Sequence, residues 1–379
     1  MVPVPYEIIN LDFLGVCTEP VVYTFHTEPS CALCWSLIKL PVSVRLSFQP
    51  LQPPRVAQET PLTPSTATRP DVLMIGPYPA WDMEPLEQQY RLHKLWETAD
   101  RSRFIADHAA SIRAVATRGE LGANAELIVA LPHLEIIACY GVGTDAINLA
   151  AARDRGIRVT NTPDVLTGDV ADIGVGLALA LMRRIPAADQ HVRSGAWAAG
   201  NMGLVTRLYG KRVGVVGFGR IGTTLARRLS GFDVELGYFD LAPHADSPHR
   251  FFAKLVDLAA WCDVLIVTLA GGAATHGMVD ASVLEALGPQ GWLVNISRGT
   301  TVHEPALLDA LERRAIAGAA LDVFMNEPRI DPRFLALDNV LLQPHHASGT
   351  VETRQAMGRL VRDNLQAHFS GQPLLTPVA

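Results

Sequence analysis

Residues 212–229 of this 379-residue chain, RVGVVGFGRIGTTLARRL, give the clearest indication of its fold. The stretch opens with valines typical of a buried strand and ends with apolar residues at helical spacing. Between the two, Gly217, Gly219 and Gly222 form the G-x-G-x-x-G pattern, which holds a pyrophosphate when it follows a strand and opens a helix. The first glycine permits the tight turn, the second lets the phosphates approach the backbone, and the third lets the helix pack closely on the strand. Because the helix N-terminus adds free N–H groups and a partial positive charge, the sequence predicts a dinucleotide-binding α/β domain.

Asp240 indicates which dinucleotide is bound. It ends the next predicted strand, eighteen residues after Gly222. A carboxylate there accepts hydrogen bonds from the ribose hydroxyls and repels a 2′-phosphate. The pattern therefore favours NAD, with NADP as the alternative because Arg250 or a nearby histidine could hold a phosphate.

Short apolar strands alternate with helical segments through most of the chain, which predicts parallel sheets joined by βαβ crossovers. The strands predicted before the glycine loop are DVLMIG (71–76), IRAVAT (112–117), LIVALP (127–132), LEIIACY (134–140) and RVTNTP (158–163), with helices at EPLEQQYRLHKLWE (84–97) and DAINLAAARDRG (145–156). Six further strands are predicted at RVGVVGF (212–218), VELGYFD (234–240), DVLIVTL (263–269), WLVNIS (292–297), AGAALDVF (317–324) and NVLLQP (339–344). The apolar segment 169–195, which Asp169 can cap, is predicted to be one long connecting helix. The alternation of strands and helices predicts the α/β class. Because the chain exceeds the usual size of a single core, we expect two Rossmann-like domains.

Charge and composition exclude several classes of partner. The net charge is −6 and no run of five like charges occurs, which argues against a nucleic-acid or anionic-membrane surface. No signal peptide or membrane-length apolar stretch is evident, and five cysteines are few, so we expect a cytoplasmic protein. Cys31-x-x-Cys34 lacks a second ligand pair, so no metal site is expected. Residues 1–70 hold 11 of the 26 prolines and are predicted to be a disordered N-terminal extension.

Three motifs follow successive strands of the second series, at the edge where open parallel sheets bind ligands. They place Arg298 after the fourth strand, Asp322 and Glu327 after the fifth, and His345 after the sixth. Arginine can hold a substrate carboxylate through two parallel hydrogen bonds. Histidine, which titrates near pH 6.5 in model peptides, can protonate the oxygen that a hydride transfer leaves on a carbonyl carbon. A neighbouring glutamate would orient the ring and favour its protonated form during reduction.

Each of these residues also has an ordinary structural interpretation. Arg298 could cap a strand end, Glu327 could be one of many loop carboxylates, and His345 could be a polar residue before a helix. Their position at three successive strand ends beyond a phosphate loop favours the catalytic interpretation. His346 is given only a supporting role, because adjacent side chains of an extended chain point in opposite directions.

From about residue 71 onward the chain resembles the D-isomer-specific 2-hydroxyacid dehydrogenases, most closely the glyoxylate/hydroxypyruvate reductase branch. The matching stretches are YGVGTDAIN (140–148), VLTGDVADIGVGLALAL (165–181), GKRVGVVGFGRIG (210–222), VNISRGTTV (294–302), GAALDVFMNEP (318–328) and QPHHASGTVETR (343–354).

The resemblance implies a role for each matching residue. Arg298 would anchor the substrate carboxylate, His345 would be the acid/base and Glu327 its partner, while the backbone N–H groups of Gly141, Val142 and Gly143 would bind the same carboxylate. Asp322 would lie near the nicotinamide amide and Thr167 near the hinge and cofactor. The remaining residues assigned to the cofactor are Arg220, Ile221, Leu269, Ile296 and Ser297.

The resemblance also implies a domain plan. Residues 71–167, completed by 346–379, would form the substrate domain, and residues 168–345 the NAD-binding domain. The active site would lie in the cleft between them, and the chain would form a homodimer.

We therefore expect NAD(P)H-dependent reduction of glyoxylate or hydroxypyruvate to the D-2-hydroxy acid, and the reverse oxidation. Glu327 argues against a formate dehydrogenase, which carries glutamine there. Only 34 residues follow His345, too few for the regulatory domain common in phosphoglycerate dehydrogenases. The alternatives are a phosphoglycerate dehydrogenase-like activity and an NAD(H)-sensing corepressor-like binding protein, which can retain all three catalytic residues.

Overall fold

Two parallel sheets organise the computed structural model, which describes residues 69–378. The prediction for residues 1–70 therefore falls, except for the last two, outside the described residues. The first sheet contains β1 (Asp71–Met74), β2 (Arg91–Lys94), β3 (Ile112–Arg118), β4 (Ile136–Tyr140) and β5 (Arg158–Thr160). The second contains β6 (Arg212–Val216), β7 (Glu235–Phe239), β8 (Arg250–Phe252), β9 (Val264–Val267), β10 (Trp292–Asn295), β11 (Gly318–Leu321) and β12 (Val340–Leu342).

The strand orders are β2-β1-β3-β4-β5 and β12-β11-β10-β9-β6-β7-β8, and every pairing within them is parallel. In the second sheet the strands β6 to β8 extend to one side of β6, and β9 to β12 extend to the other side. This reversal of strand order between β6 and β9 creates the crevice where doubly wound sheets bind ligands. The strands β4, β9 and β11 are buried along their whole length, as expected when both faces of a parallel sheet are covered. The predicted α/β class with two Rossmann-type sheets is confirmed.

Eleven helices cover the sheets within residues 69–378. They are α1 (Ala80–Gln89), α2 (Arg101–His108), α3 (Ala125–Ala130), α4 (Leu149–Asp154), α5 (Thr167–Met182), α6 (Ile185–Arg193), α7 (Arg220–Leu229), α8 (Leu255–Trp261), α9 (Ala281–Leu287), α10 (Glu304–Glu312) and α11 (Val351–Phe369). None of them is long and apolar enough to cross a bilayer.

Contacts between helices and sheets agree with a discontinuous first domain. The connecting helix α5 packs on α7, β10 and β11 of the second sheet. The C-terminal helix α11 instead returns to β4 and α1 of the first sheet, where the Tyr140 hydroxyl donates to the Arg354 carbonyl at 2.6 Å. The boundaries at residues 167 and 345 stay a prediction, which these contacts support.

Two predicted elements of the first series are wrong. The segment 127–132 lies mostly in helix α3 rather than in a strand, because Asn124 accepts a hydrogen bond from the Leu127 N–H at 2.9 Å and caps a helix there. A short apolar run has no periodicity that separates a strand from a buried helix. The predicted helix 84–97 ends at Gln89, and its second half includes the edge strand β2, which pairs with β1.

The second series differs from the prediction in two places. The segment 169–195 forms two helices, broken at Arg184, whose φ is +49°. Asp169 does not cap the first helix, since its side chain accepts a hydrogen bond from the Thr350 hydroxyl. Within the part of the chain that the structure describes, the second sheet has seven strands rather than six, because β8 adds a short edge strand that pairs with β7.

Candidate active site

The glycine loop lies between β6 and α7 with the geometry that a pyrophosphate requires. Gly217 has a φ of +89°, in the left-handed region that favours glycine. A Cβ on Gly222 would lie 2.1 Å from the Gly217 carbonyl oxygen, so the helix could not pack this closely with any larger residue. A Cβ on Gly219 would meet nothing within 4 Å, so the backbone at the start of α7 is open to a ligand. The loop therefore fits the phosphates of a dinucleotide.

Asp240 lies directly beside this loop. Its Oδ2 accepts a hydrogen bond from the Phe218 N–H at 2.9 Å, and its Oδ1 accepts one from the Leu241 N–H at 2.7 Å. The His244 Nε2 lies 3.1 Å from Oδ2. Burial alone would raise the pKa of Asp240, but the hydrogen bonds from His244, Leu241 and Phe218 outweigh it and lower this pKa. The group is therefore a carboxylate at neutral pH, and its contact with the cofactor ribose stays a prediction.

The other residues assigned to the cofactor form two groups, those at the glycine loop and α7 and those with buried side chains or at the domain connection. Leu269 packs on the glycine loop, since a Cβ on Gly217 would meet its Cδ2 at 3.1 Å. Ile221 is partly buried in the core cluster that contains α5 and α7. Arg220 is exposed, and its Nε lies 3.0 Å from the Asp164 Oδ1, so it links α7 to the loop before α5.

Buried side chains form the second group. Ile296 is 5 % exposed, and its Cδ1 occupies the space next to Gly174 of α5. The Ser297 hydroxyl donates to the Asn295 Oδ1 at 2.7 Å. Both side chains are thus engaged within the protein. Thr167 is the first residue of α5, at the connection between the two sheets.

His345 and Glu327 form a close pair after β12 and β11. The His345 Nδ1 lies 2.6 Å from the Glu327 Oε2, and the other carboxylate oxygen accepts the Phe324 N–H at 2.8 Å. Burial would raise the pKa of Glu327, but the hydrogen bond and charge of His345 outweigh it and lower this pKa. Because Nδ1 is engaged by a carboxylate, Nε2 is the ring nitrogen that remains for proton exchange.

Asp322 holds the turn that presents His345. His345 has a φ of +50°, a left-handed conformation that is costly for a residue with a Cβ and is found where the surroundings impose it. The Asp322 carbonyl accepts the His345 N–H at 2.8 Å, while its carboxylate accepts the N–H groups of His346 at 2.7 Å and Ala347 at 3.1 Å. Burial raises the pKa of this carboxyl, although those backbone bonds oppose the rise. The position of Asp322 near the nicotinamide amide stays a prediction, since the structure shows a backbone role.

The loop after β4 lies against Arg298. A Cβ on Gly143 would fall 1.7 Å from the Arg298 Nη2, so the guanidinium rests on the backbone of this loop. The Asn161 side-chain amide donates to the Val142 carbonyl at 2.8 Å. The Gly141 N–H donates to the Thr162 hydroxyl at 3.1 Å, so the expectation that it binds the substrate carboxylate is wrong. The N–H groups of Val142 and Gly143, in contrast, find no acceptor within residues 69–378. These two donors and Arg298 form a donor-rich surface suited to a carboxylate.

The structure thus brings the three predicted catalytic residues together. The charge of Arg298 contributes to lowering the pKa of Glu327, so the two groups lie within electrostatic reach. Sequence reasoning missed Asp145, whose carboxylate binds Arg298 at 3.2 Å. The only signal was its place in YGVGTDAIN, two residues after Gly143, and an acidic residue is not the type expected beside a carboxylate anchor.

Comparisons with known proteins agree with this geometry. Residues 175–347 match the family described as "D-isomer specific 2-hydroxyacid dehydrogenase, NAD binding domain". The chain is 47% identical to a 2-ketogluconate reductase of Gluconobacter oxydans over 312 residues, which are 82% of this chain and 99% of the relative.

Two solved structures share the fold over the same region. A 2-hydroxyacid dehydrogenase from Ketogulonicigenium vulgare is 57% identical with a TM-score of 0.77, covering 82% of this chain and 99% of the other. An NADPH-dependent glyoxylate/hydroxypyruvate reductase from Sinorhizobium meliloti, in complex with NADP and malonate, is 44% identical with a TM-score of 0.78, covering 82% and 97%. The glycine loop, the His345–Glu327 pair and these likenesses agree, and the chain belongs to the D-isomer-specific 2-hydroxyacid dehydrogenase family, in its glyoxylate/hydroxypyruvate reductase-like branch.

Proposed function

We propose that this protein reduces a small 2-oxo acid to the D-2-hydroxy acid with NAD(P)H and catalyses the reverse oxidation. The observation that carries the proposal is the 2.6 Å contact between His345 Nδ1 and Glu327 Oε2, at the strand ends next to Arg298. A positioned histidine–carboxylate pair near a carboxylate anchor and a dinucleotide loop supplies what the reaction needs from the protein.

The residues act on different parts of the substrate. Arg298 and the N–H groups of Val142 and Gly143 bind the carboxylate, which fixes the orientation of the neighbouring carbonyl. A bound nicotinamide supplies the hydride. His345 gives the proton on Nε2 to the carbonyl oxygen during reduction and accepts the hydroxyl proton during oxidation. Glu327 holds the ring in place and stabilises its charged form.

We propose NADH as the preferred cofactor because the ionised Asp240 would repel a 2′-phosphate. The Sinorhizobium meliloti relative is described as NADPH-dependent, so the affinity for NADH must be compared with the affinity for NADPH. Parallel binding titrations by nucleotide fluorescence would decide between the two.

The substrate class follows from the relatives. Glyoxylate and hydroxypyruvate are the first candidates, and 2-ketogluconate is a larger one that the Gluconobacter oxydans relative indicates. The three acids share the 2-oxo carboxylate that Arg298 would recognise, and they differ only in the chain beyond the carbonyl.

Steady-state turnover tests the proposal. Purified protein mixed with each acid should oxidise NADH or NADPH, followed by the loss of nicotinamide absorbance. His345→Ala should lower kcat by roughly 10²–10⁴-fold, the range for losing a positioned acid/base, while nucleotide affinity barely changes. Nucleotide binding without turnover of any of the acids would instead favour the corepressor-like alternative.

We also propose a homodimer in the cytoplasm. A band of apolar side chains, each more than half exposed, follows α5: Ile185, Val192, Trp197, Leu204 and Tyr209. Several exposed apolar groups so near one another along the chain support a protein interface there. Analytical ultracentrifugation would show a monomer if the band does not mediate assembly.

A further inference from the structure

Asp145 and Arg298 form an ion pair between the two sheets. The Arg298 Nε lies 3.2 Å from the Asp145 Oδ1, and each side chain is 26% exposed. Asp145 follows β4 of the first sheet, whereas Arg298 follows β10 of the second, so the ion pair joins elements that are 153 residues apart. Because such a pair is shielded from water more than a surface salt bridge, it holds the two side chains in place more strongly than an exposed pair would.

Two glycines determine how tightly the pair is held. A Cβ on Gly271 would lie 2.8 Å from the Arg298 Cγ and 3.0 Å from the Asp145 Cγ. On the other side, a Cβ on Gly143 would lie 1.7 Å from the Arg298 Nη2. The two side chains therefore occupy a slot that has no space for a methyl group on either wall.

The hydrogen bonds of Arg298 leave one edge of the guanidinium available. Nε donates to Asp145, and Nη1 donates to the Ser297 carbonyl at 2.8 Å. A guanidinium has five N–H donors in a rigid plane, so fixing Nε and Nη1 also fixes the direction of Nη2. That nitrogen lies on the loop whose Val142 and Gly143 N–H groups have no acceptor within the described residues.

We propose that Asp145 is a positioning residue for substrate binding, which aims the Nη2 edge of Arg298 at the carboxylate site on the Val142–Gly143 loop. The inference deepens the proposed function and rests on it. An acidic residue here has an opposing effect, since its charge repels the substrate carboxylate. The proposal requires that the fixed orientation of Arg298 outweighs this repulsion, and the two effects predict opposite changes in KM.

Two substitutions separate the effects. In Asp145→Ala, the KM for glyoxylate should rise about 10- to 100-fold, the loss expected for a charge-assisted hydrogen bond, while kcat changes by less than about threefold. Asp145→Asn keeps an acceptor oxygen for the Arg298 Nε and should recover most of the lost affinity. Asp154→Ala, which removes an exposed carboxylate at the end of α4, is the charge control and should behave as wild type.

Malonate provides a readout that does not depend on turnover. We expect malonate to raise the thermal unfolding temperature of the wild-type and Asp154→Ala proteins, and to raise that of Asp145→Ala far less. NADH affinity, measured by fluorescence, should be equal in all four proteins. If Asp145→Ala does not fold, Asp145→Asn is compared with the wild type instead. We then expect a smaller but measurable rise in the KM for glyoxylate and a smaller malonate response.

Different results would contradict the positioning role of Asp145 and the proposed function. An unchanged or lowered KM and malonate response in Asp145→Ala would overturn the positioning role, even in an active enzyme. A loss of kcat at unchanged KM would overturn it as well, because the effect would then lie in the chemical step. A wild type that turns over no 2-oxo acid yet shows a malonate response that depends on Asp145 would refute the proposed function and keep the carboxylate site.

Discussion

A Glu327→Gln substitution would disturb two hydrogen bonds at once. In the structure one carboxylate oxygen accepts from the His345 ring at 2.6 Å and the other from the Phe324 N–H at 2.8 Å. Glutamine has only one acceptor oxygen, so its NH₂ group must face one of these two donors. If it faces His345, the protonated ring that reduction needs loses its partner. If it faces Phe324, the loop that carries residue 327 is strained.

The expected magnitude follows from the lost interaction. A hydrogen bond to a charged group contributes about 1.5–3 kcal/mol, and each 1.36 kcal/mol in the barrier changes a rate tenfold. We therefore expect kcat for 2-oxo acid reduction to fall about 10- to 150-fold, with the pH at which reduction declines moved to lower values. The KM for NADH should change little, because Glu327 does not contact the glycine loop.

The assay is NADH oxidation across pH 5–9, with Glu304→Gln as the matched control. Glu304 also accepts a backbone N–H from this loop, that of Met325 at 3.0 Å, without touching His345. A Glu327→Gln enzyme with kcat within twofold of the wild type at every pH would show that Glu327 does not assist His345, as would an equal loss in the control.

Acid stability provides a second measurement on the same pair. The pKa of Glu327 is lowered below its ordinary value of 4.5, mainly because its interaction with His345 outweighs the effect of burial. A carboxyl group whose folded pKa is lowered contributes stability above its unfolded pKa, and this stability is lost as the pH falls through the folded value. The thermal stability difference between wild type and Glu327→Gln should therefore persist near pH 5 and disappear at lower pH. A difference that vanishes already near pH 6 would contradict this account.

Two further predictions concern cofactor choice and packing. Asp240→Ala should tighten NADPH binding relative to NADH by roughly tenfold, equivalent to about 1.4 kcal/mol, and an unchanged ratio in fluorescence titrations would show that this carboxylate does not exclude the 2′-phosphate. Gly358→Ala should lower the free energy of unfolding by about 1–3 kcal/mol, because its Cβ would lie 2.0 Å from the Oδ1 of Asp82, which is buried and paired with Arg362. The control is Gly176→Ala in α5, whose Cβ would meet only Ile173 Cδ1 at 4.0 Å. This substitution should be neutral or stabilise the protein by up to about 1 kcal/mol. Equal effects of the two substitutions in chemical denaturation would rule out the packing argument.

The proximity of His345 and Glu327 could be predicted because of how parallel sheets are built. Each residue follows a strand, and β11 and β12 are neighbours in the sheet, so their carboxyl ends meet at one edge. The same rule predicts that Arg298, after β10, lies beside them. It does not predict which oxygen bonds which nitrogen, and it does not predict the left-handed φ of His345, which depends on Asp322.

Elements that local pattern could not distinguish were decided by contacts. Residues 127–132 have the composition of a strand, but the cap at Asn124 and packing beneath the first sheet make most of them a helix. Residues 91–94 continue a helical pattern, but pairing with β1 draws them into the sheet. In both cases the deciding contacts come from neighbouring structure that the periodicity of the segment does not contain.

Inspection of the amino-acid pattern is enough to identify the glycine loop, Asp240 beside it and the residues at the strand ends. These features depend on chain segments that are contiguous, or on strand order that βαβ connections impose. The Asp145–Arg298 contact and the fit of that pair between Gly143 and Gly271 instead arise when the chain folds. The reason is physical: an ion pair across 153 residues depends on how the two sheets are placed against each other, and this placement results from packing over the whole interface rather than from any local pattern.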